Sequence, residues 1–349
     1  MESFIQLEYI VFLLISSIII SLLLCLLGIR LAPKIGLMDI PGSAEHKNHS
    51  REIPLVGGLV LMDTLLIFVI FTQMWIQPDI LAIVIAGLII GLFGLLDDFV
   101  NLNVTKKLFG QLLASLLLIF LGVQINFFDS PEFFFQVDDP WDRYLNIAFT
   151  LLWLIAITNA FNFIDSMDGL AVGLSGLSSA FFLLISIYTG QLELIFLAVI
   201  ILGVCISLYY FNSHPARLFI GDSGAQLFGF LLASIAIVYQ PKIGFQTSTW
   251  FVPILLFSVP LFDMILVILS RLKRGKKIHK ASDDHTFHRL TQLGIPLYRA
   301  VLMMHGISLI VSMIGILCLN LSGTYANFIF LLIIIFGILA FIKLDKNYL

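Results

Sequence analysis

Charge is what this sequence has least of. Only 12% of its 349 residues are Asp, Glu, Lys or Arg, whereas 60% are hydrophobic and the mean hydropathy is +1.05. A water-soluble chain carries about twice that charged fraction, so a soluble globular class is excluded. Cysteine is scarce as well. Cys25, Cys205 and Cys318 fall inside apolar runs at unrelated spacings, so they read as buried small hydrophobes and imply no disulfide framework or zinc module. The first apolar run follows Glu2 and Glu8 instead of a basic segment, and no small-residue cleavage site follows it. It therefore reads as a retained helix and not a signal peptide. The chain has no GxxxxGK[ST] loop, no GxGxxG after a strand, no Ser-His-Asp arrangement and no strands on which to build a soluble nucleotide fold.

What the chain has instead is apolar runs long enough to cross a hydrocarbon core of about 30 Å. The expected fold class is an all-α polytopic membrane protein with about eleven helices, at 9–29, 54–76, 79–96, 108–124, 145–163, 169–188, 192–210, 223–240, 249–271, 299–320 and 324–342. No soluble domain stands apart, so residues 1–349 are expected to form one integral-membrane domain. Lys and Arg set the orientation. With the N-terminus outside (periplasmic) and the C-terminus cytoplasmic, seventeen of the nineteen Lys and Arg residues fall on the cytoplasmic side. Only Arg143 and Lys242 remain outside, and the external 125–144 loop is acidic and rich in phenylalanine. A bacterial inner membrane is the expected location.

In that orientation the carboxylates choose the cytoplasmic face. Asp97 and Asp98 end the third span, Asp165 and Asp168 follow the fifth, and Asp222 precedes the eighth. Any one of these could be a cap or a solvated loop end. As a set they point to function, because anionic groups near membrane depth are costly. Carboxylates among Lys and Arg suit a divalent cation holding a polyphosphate, Mg²⁺ (or Mn²⁺) being the oxygen-seeking choice. Lys47, His49, Arg51, Lys106, Lys107, His285, His288 and Arg289 supply candidate phosphate contacts. Positive-inside placement alone accounts for most of the Lys and Arg in 273–280. The run Asp284-His285-Thr286-Phe287-His288-Arg289 is more specific, since 285, 288 and 289 share one face of a helical turn. The active-site loops are expected at 30–53, 97–107, 159–169, 211–222 and 272–298.

Four motifs in order resemble the polyprenyl-phosphate N-acetylhexosamine-1-phosphate transferases of glycosyltransferase family 4. They are Lys47-Asn48-His49 with Pro54-Leu55-Val56-Gly57-Gly58; Asp97-Asp98 with Lys107 and Gln111; Asn159 to Leu170; and Asn212 to Gly224. The resemblance implies transfer of a sugar-1-phosphate, by default GlcNAc-1-phosphate, from a UDP-sugar to undecaprenyl phosphate with release of UMP. This would be the first membrane step of a cell-envelope polysaccharide such as O-antigen or teichoic acid. It implies Asp222 as the leading Mg²⁺ ligand, with Asp165 and Asp98 beside it, and Asp97 or Asp98 as the group that binds or deprotonates the carrier phosphate. It further implies that Asn159, Asn162, Asp165 and Asp168 position metal and nucleotide, that Phe219 stacks on uracil, and that Lys47, His49, Lys107 and Arg289 bind substrate, with His285 and His288 catalytic.

The chain departs from the family pattern at Ser166, where Gly is usual, at Ala225, where Ser is usual, and at Phe287, where the middle His of H-x-H-H is usual. The lack of three adjacent histidines sets it apart from the phospho-N-acetylmuramoyl-pentapeptide transferases, which remain the nearer alternative. A transporter is the alternative of another class. Asp63 and Asp263 lie inside spans, about 12 Å from the cytoplasmic ends at 1.5 Å per residue, and buried carboxylates of that kind often mark ion paths. Against it, the polar residues gather at one face and no paired broken helices occur at mid-depth.

Overall fold

The computed structural model describes residues 2–41, 51–128, 137, 139–239, 250–277 and 284–346, with side chains from Leu7 onward. Lys47, His49, Lys280 and Phe133 to Phe135 lie outside the described residues.

The apolar runs form helices throughout: α1 (Glu2–Ile35), α2 (Gly57–Phe71), α3 (Pro78–Val100), α4 (Val104–Phe120), α5 (Trp141–Ile164), α6 (Leu170–Thr189), α7 (Leu192–Asn212) and α8 (Gly221–Val238). After these come α9 (Val252–Leu256), α10 (Ser258–Lys273), α11 (Thr286–Gln292), α12 (Leu297–Cys318) and α13 (Gly323–Lys346). Among the described residues, eight of these are long and apolar enough to cross a membrane, and α2 is a shorter apolar helix. Two short strands, Met38–Asp39 and Ile53–Pro54, pair antiparallel, Met38 with Pro54 and Asp39 with Ile53.

Two expectations need correction. The ninth span, expected as one helix over 249–271, is broken at Phe257 into α9 and α10. Pro253 and Pro260 lie on either side of that break, and each lacks the N–H that would continue the helical ladder. The 54–76 span is shorter than expected as well. It stops at Phe71, and Gln73 then takes a left-handed φ of 56° before a 3₁₀ turn at Met74–Ile76.

The described residues form two compact units, one up to Tyr239 and one from Trp250 onward. In the first, α8 is the hub, packing most extensively against α3 and α5 and also against α2 and α6. It is apolar nearly all round and almost wholly buried, as a core helix should be. Close approach depends on glycine. A Cβ on Gly94 of α3 would lie 2.5 Å from Ser223 Cα, and one on Gly58 of α2 would lie 2.5 Å from Ser223 Cβ. The N-terminal turn of α8 is thus wedged between α2 and α3. In the second unit, α12 packs on α9, α10 and α11.

Candidate active site

The first unit brings its five cytoplasm-assigned aspartates to one end. There α3 and α5 finish and α4 and α8 begin, so the connecting turns meet. The α3–α4 turn is encoded locally. Asn101 takes a left-handed φ of 51°, which Asn tolerates, and its N–H bonds to the Asp97 carbonyl. Asn103 then caps α4, its side chain accepting the Lys106 N–H at 3.0 Å. Asp97 Oδ1 accepts the Leu102 N–H at 2.6 Å, which fixes the same turn from inside.

Asp98 takes a role not assigned from sequence. Its Oδ1 accepts the N–H of Asp222 at 2.7 Å, and its Oδ2 accepts the N–H (3.2 Å) and hydroxyl (2.6 Å) of Ser223. It caps α8 from another helix, satisfying N–H groups that the first turn leaves orphaned. Gly221 makes this possible: its φ is +70°, and a Cβ there would lie 2.6 Å from Asp98 Oδ2. The 54–58 segment is zipped to the same turn. Phe219 N–H donates to Pro54 O (2.8 Å), Gly57 N–H to Phe219 O (3.1 Å) and Gly58 N–H to Ile220 O (3.0 Å). The backbone of Phe219 is thereby fixed while its ring stays half-buried.

Lys107, one turn into α4, forms an ion pair with Asp97 and reaches Asp222 Oδ1 at 3.4 Å. It links the aspartate pair to the aspartate of α8. Asp165 lies just beyond α5, half-buried. Burial first, then the charges of Asp222, Asp98 and Asp168, raise its carboxyl well above the usual carboxylate range. Asp168 Oδ2 accepts the Ala216 N–H at 3.2 Å and meets His214 Nδ1 at 3.0 Å. Asn212 joins both turns, accepting the Gly169 N–H at 3.0 Å and donating to Leu218 O at 2.9 Å. Behind this lies an amide cluster. Asn159 donates to Gln111 Oε1 at 2.7 Å, and Gln111 donates to Gln226 Oε1 at 3.1 Å. Asn162 sits half-buried, one turn nearer the site than Asn159.

Asp97, Asp98, Lys107, Asp165, Asp168 and Asp222 are therefore brought to one end of one unit. Ser223, His214, Asn212, Gln226 and Gly94 went unassigned in the sequence reading. Asn212, His214 and Ser223 lie inside the Asn212 to Gly224 motif, so their position, though not their role, was visible. Ser166 has no left-handed φ among the described residues, so a side chain there costs no strain.

The histidine segment belongs to the second unit. Arg271 grips Asp284 with two hydrogen bonds (2.8 and 2.7 Å), and His285 Nδ1 lies 2.8 Å from Asp263 Oδ2. His285 is the extended residue before α11, not part of its first turn. The expected shared helical face of 285, 288 and 289 is therefore corrected. Phe287 is 2% exposed, and its ring lies 4.0 Å from that of His288. Arg289, expected to hold phosphate, is turned inward. It is 2% exposed, donates to the Asp284 carbonyl at 2.9 Å and pairs with Asp345 at 3.2 Å.

Residues 80–240 match the family model described as glycosyl transferase family 4. Every site residue of the first unit named above, from Gly94 to Gln226, lies within that stretch. A probable undecaprenyl-phosphate N-acetylglucosaminyl 1-phosphate transferase of Bacillus subtilis (strain 168) is 28% identical over 307 residues, 88% of this chain and 84% of the relative. A phospho-N-acetylmuramoyl-pentapeptide-transferase of Halalkalibacterium halodurans is 27% identical, covering 77% of this chain and 85% of the relative. A decaprenyl-phosphate N-acetylglucosaminephosphotransferase of Mycolicibacterium smegmatis is 31% identical, covering 64% of this chain and 59% of the relative.

Proposed function

We propose that this chain transfers N-acetylhexosamine-1-phosphate, by default GlcNAc-1-phosphate, from a UDP-sugar to undecaprenyl phosphate in a bacterial inner membrane, releasing UMP. The observation that carries this reading is the convergence of Asp97, Asp98, Asp165, Asp168 and Asp222 with Lys107 at one end of a membrane-helix bundle. Such a site lies where a water-soluble nucleotide and a lipid-borne acceptor can meet.

The residues fit a divalent ion. Asp165 is pressed by three neighbouring carboxylates, a strain that a cation relieves. Among the described residues no three His, Cys, Asp or Glu groups close on an ion by themselves. Mg²⁺ with one or two carboxylates and substrate phosphates matches that arrangement. Asp222 and Asp165 would hold it, with Asp98 beside them. When bound, the ion neutralises diphosphate charge and polarises the transferred phosphoryl group.

The protein's own groups do the positioning. Lys107 exchanges Asp97 and Asp222 for phosphate oxygens as the substrates enter. Asp97 then takes up the acceptor phosphate and any proton it carries, and the acceptor oxygen attacks the sugar-bearing phosphorus as UMP leaves. Asp98 keeps α8 aimed at the site, Asp168, Asn159 and Asn162 orient the nucleotide, and the ring of Phe219 stacks on uracil. Positioning and charge neutralisation are what phosphoryl transfer needs most. The test is UMP release by purified protein with a panel of UDP-sugars and undecaprenyl phosphate. No UMP from any donor, UDP-N-acetylmuramoyl-pentapeptide included, would sink the reading.

A further inference from the structure

Helix α4 packs on α3 and α5, and its backbone makes no extensive contact with α8. Two polar rungs join α4 to α8. The upper rung is Lys107 with Asp222 Oδ1 at 3.4 Å. The lower rung is Gln111, whose Nε2 donates to Gln226 Oε1 at 3.1 Å. Gln111 follows Lys107 by four residues and Gln226 follows Asp222 by four. Each amide therefore lies one helical turn, about 6 Å, behind its charged counterpart on the same face. Both amides are 2% exposed. The second N–H of Gln111 donates to Asn159 Oδ1 at 3.3 Å, and its Oε1 accepts from Asn159 Nδ2 at 2.7 Å. A buried, hydrogen-bonded amide pair adds little stability over an apolar pair of the same shape. Stability alone gives no reason for it.

We propose that Gln226 is a positioning residue: through Gln111 it holds α4 against α8, and so keeps Lys107 within reach of the reacting phosphates when the upper rung opens. In the reaction proposed above, Lys107 releases Asp222 for phosphate oxygens. Among the described residues the lower rung is then the polar tie that remains between the two helices. An amide bridge carries no net charge, so a cation or a diphosphate can arrive without breaking it while the ion pairs beside it re-form. Asn159 extends the tie to α5. Both of its N–H groups are used, on Gln111 Oε1 and on the Ile155 carbonyl, each at 2.7 Å. It serves the nucleotide by fixing α5 behind Asn162, not by donating a hydrogen bond to it. The inference rests on the transferase reading for the opening of the upper rung. The hold of the lower rung on Lys107 in the resting protein does not depend on that reading.

The discriminating variant is Gln226→Met, which keeps the length of the side chain and removes the amide. Expected is a fall in kcat of about 10- to 100-fold, the size of a misplacement of about 1 Å at a reacting centre. The single variant also leaves a buried N–H of Gln111 unmet, which lowers stability. The double variant Gln111→Met/Gln226→Met removes both partners, limits that loss, and should be no faster than the single variant. A purely structural role would instead let kcat recover with stability. The second readout needs no turnover. In purified resting protein, Lys107 is acylated with an amine-reactive reagent and followed by mass spectrometry, with exposed Lys106 as the internal reference. The Lys107 rate should rise severalfold in both variants as the side chain drifts from Asp222. A wild-type kcat in either variant overturns the proposal, and so does unchanged acylation of Lys107. If Gln226→Met does not fold, the double variant decides by the same two measurements. If the wild type releases no UMP from any donor yet Lys107 acylation rises in the variants, the transferase reading fails and the hold of Gln226 on Lys107 stands.

Discussion

Asp165 and Asp222 share one patch of negative charge but differ in what their loss should do. Asp222 begins α8 and is paired with Lys107, so Asp222→Asn should abolish metal-dependent turnover while leaving an inserted, folded protein. Near-normal UMP release from that variant would refute its assignment as a metal ligand. Asp165 carries the cost of crowding. Its folded-state pKa is raised, so ionisation destabilises the fold. The penalty is absent below the unfolded value of about 4 and grows as pH climbs through the folded value. Asp165→Asn should therefore raise the melting temperature of chelator-treated protein at pH 7–8 and leave it unchanged below about pH 4, while activity falls about 10²-fold or more. A lower melting temperature at pH 8 would show that Asp165 is a structural partner instead. Phe287 is the residue the sequence described least well. A ring 2% exposed and 4.0 Å from that of His288 should cost about 1 kcal/mol of stability when it is shortened to Leu. The comparison is a melting curve of Phe287→Leu beside wild type.

At the scale of elements, much was visible in the sequence and the reasons for the rest are specific. Each apolar run became a helix because apolar length alone decides that in a membrane. The break at Phe257 was signalled by Pro253 and Pro260 but overruled by the continuous hydrophobicity around them. The site was visible as motifs because its aspartates fall at helix ends. The cap of Asp98 on α8 was not, because it joins residues 124 positions apart and depends on how closely α3 and α8 pack. That closeness rests on Gly94. Gly94→Ala would set a Cβ 2.5 Å from Ser223 Cα and 2.9 Å from the Asp222 carbonyl oxygen, where backbone must shift. The expected cost is about 1–3 kcal/mol, together with a fall in kcat of more than about 10-fold as Asp98 loses its grip on α8. A folded variant of normal stability and activity would show that the α3–α8 contact is looser than this packing implies.

At the scale of the whole molecule, the transferase reading needs the carboxylate end of the first unit to face the cytoplasm, where nucleotide sugars are made. The argument for that orientation is the lopsided placement of Lys and Arg, seventeen on one side against Arg143 and Lys242 on the other. Helix α4 offers a clean test, because Lys106 lies in its first turn near the aspartates and Asn126 lies beyond its other end, both exposed. The native Cys25, Cys205 and Cys318 are buried and should stay silent toward a membrane-impermeant thiol reagent. In intact spheroplasts Asn126→Cys should label and Lys106→Cys should not, and permeabilisation should make Lys106→Cys reactive. The reverse pattern would place Lys107 and the five aspartates outside, where no UDP-sugar pool exists. The transferase assignment would then fall with the topology, however well the site's geometry suits the chemistry.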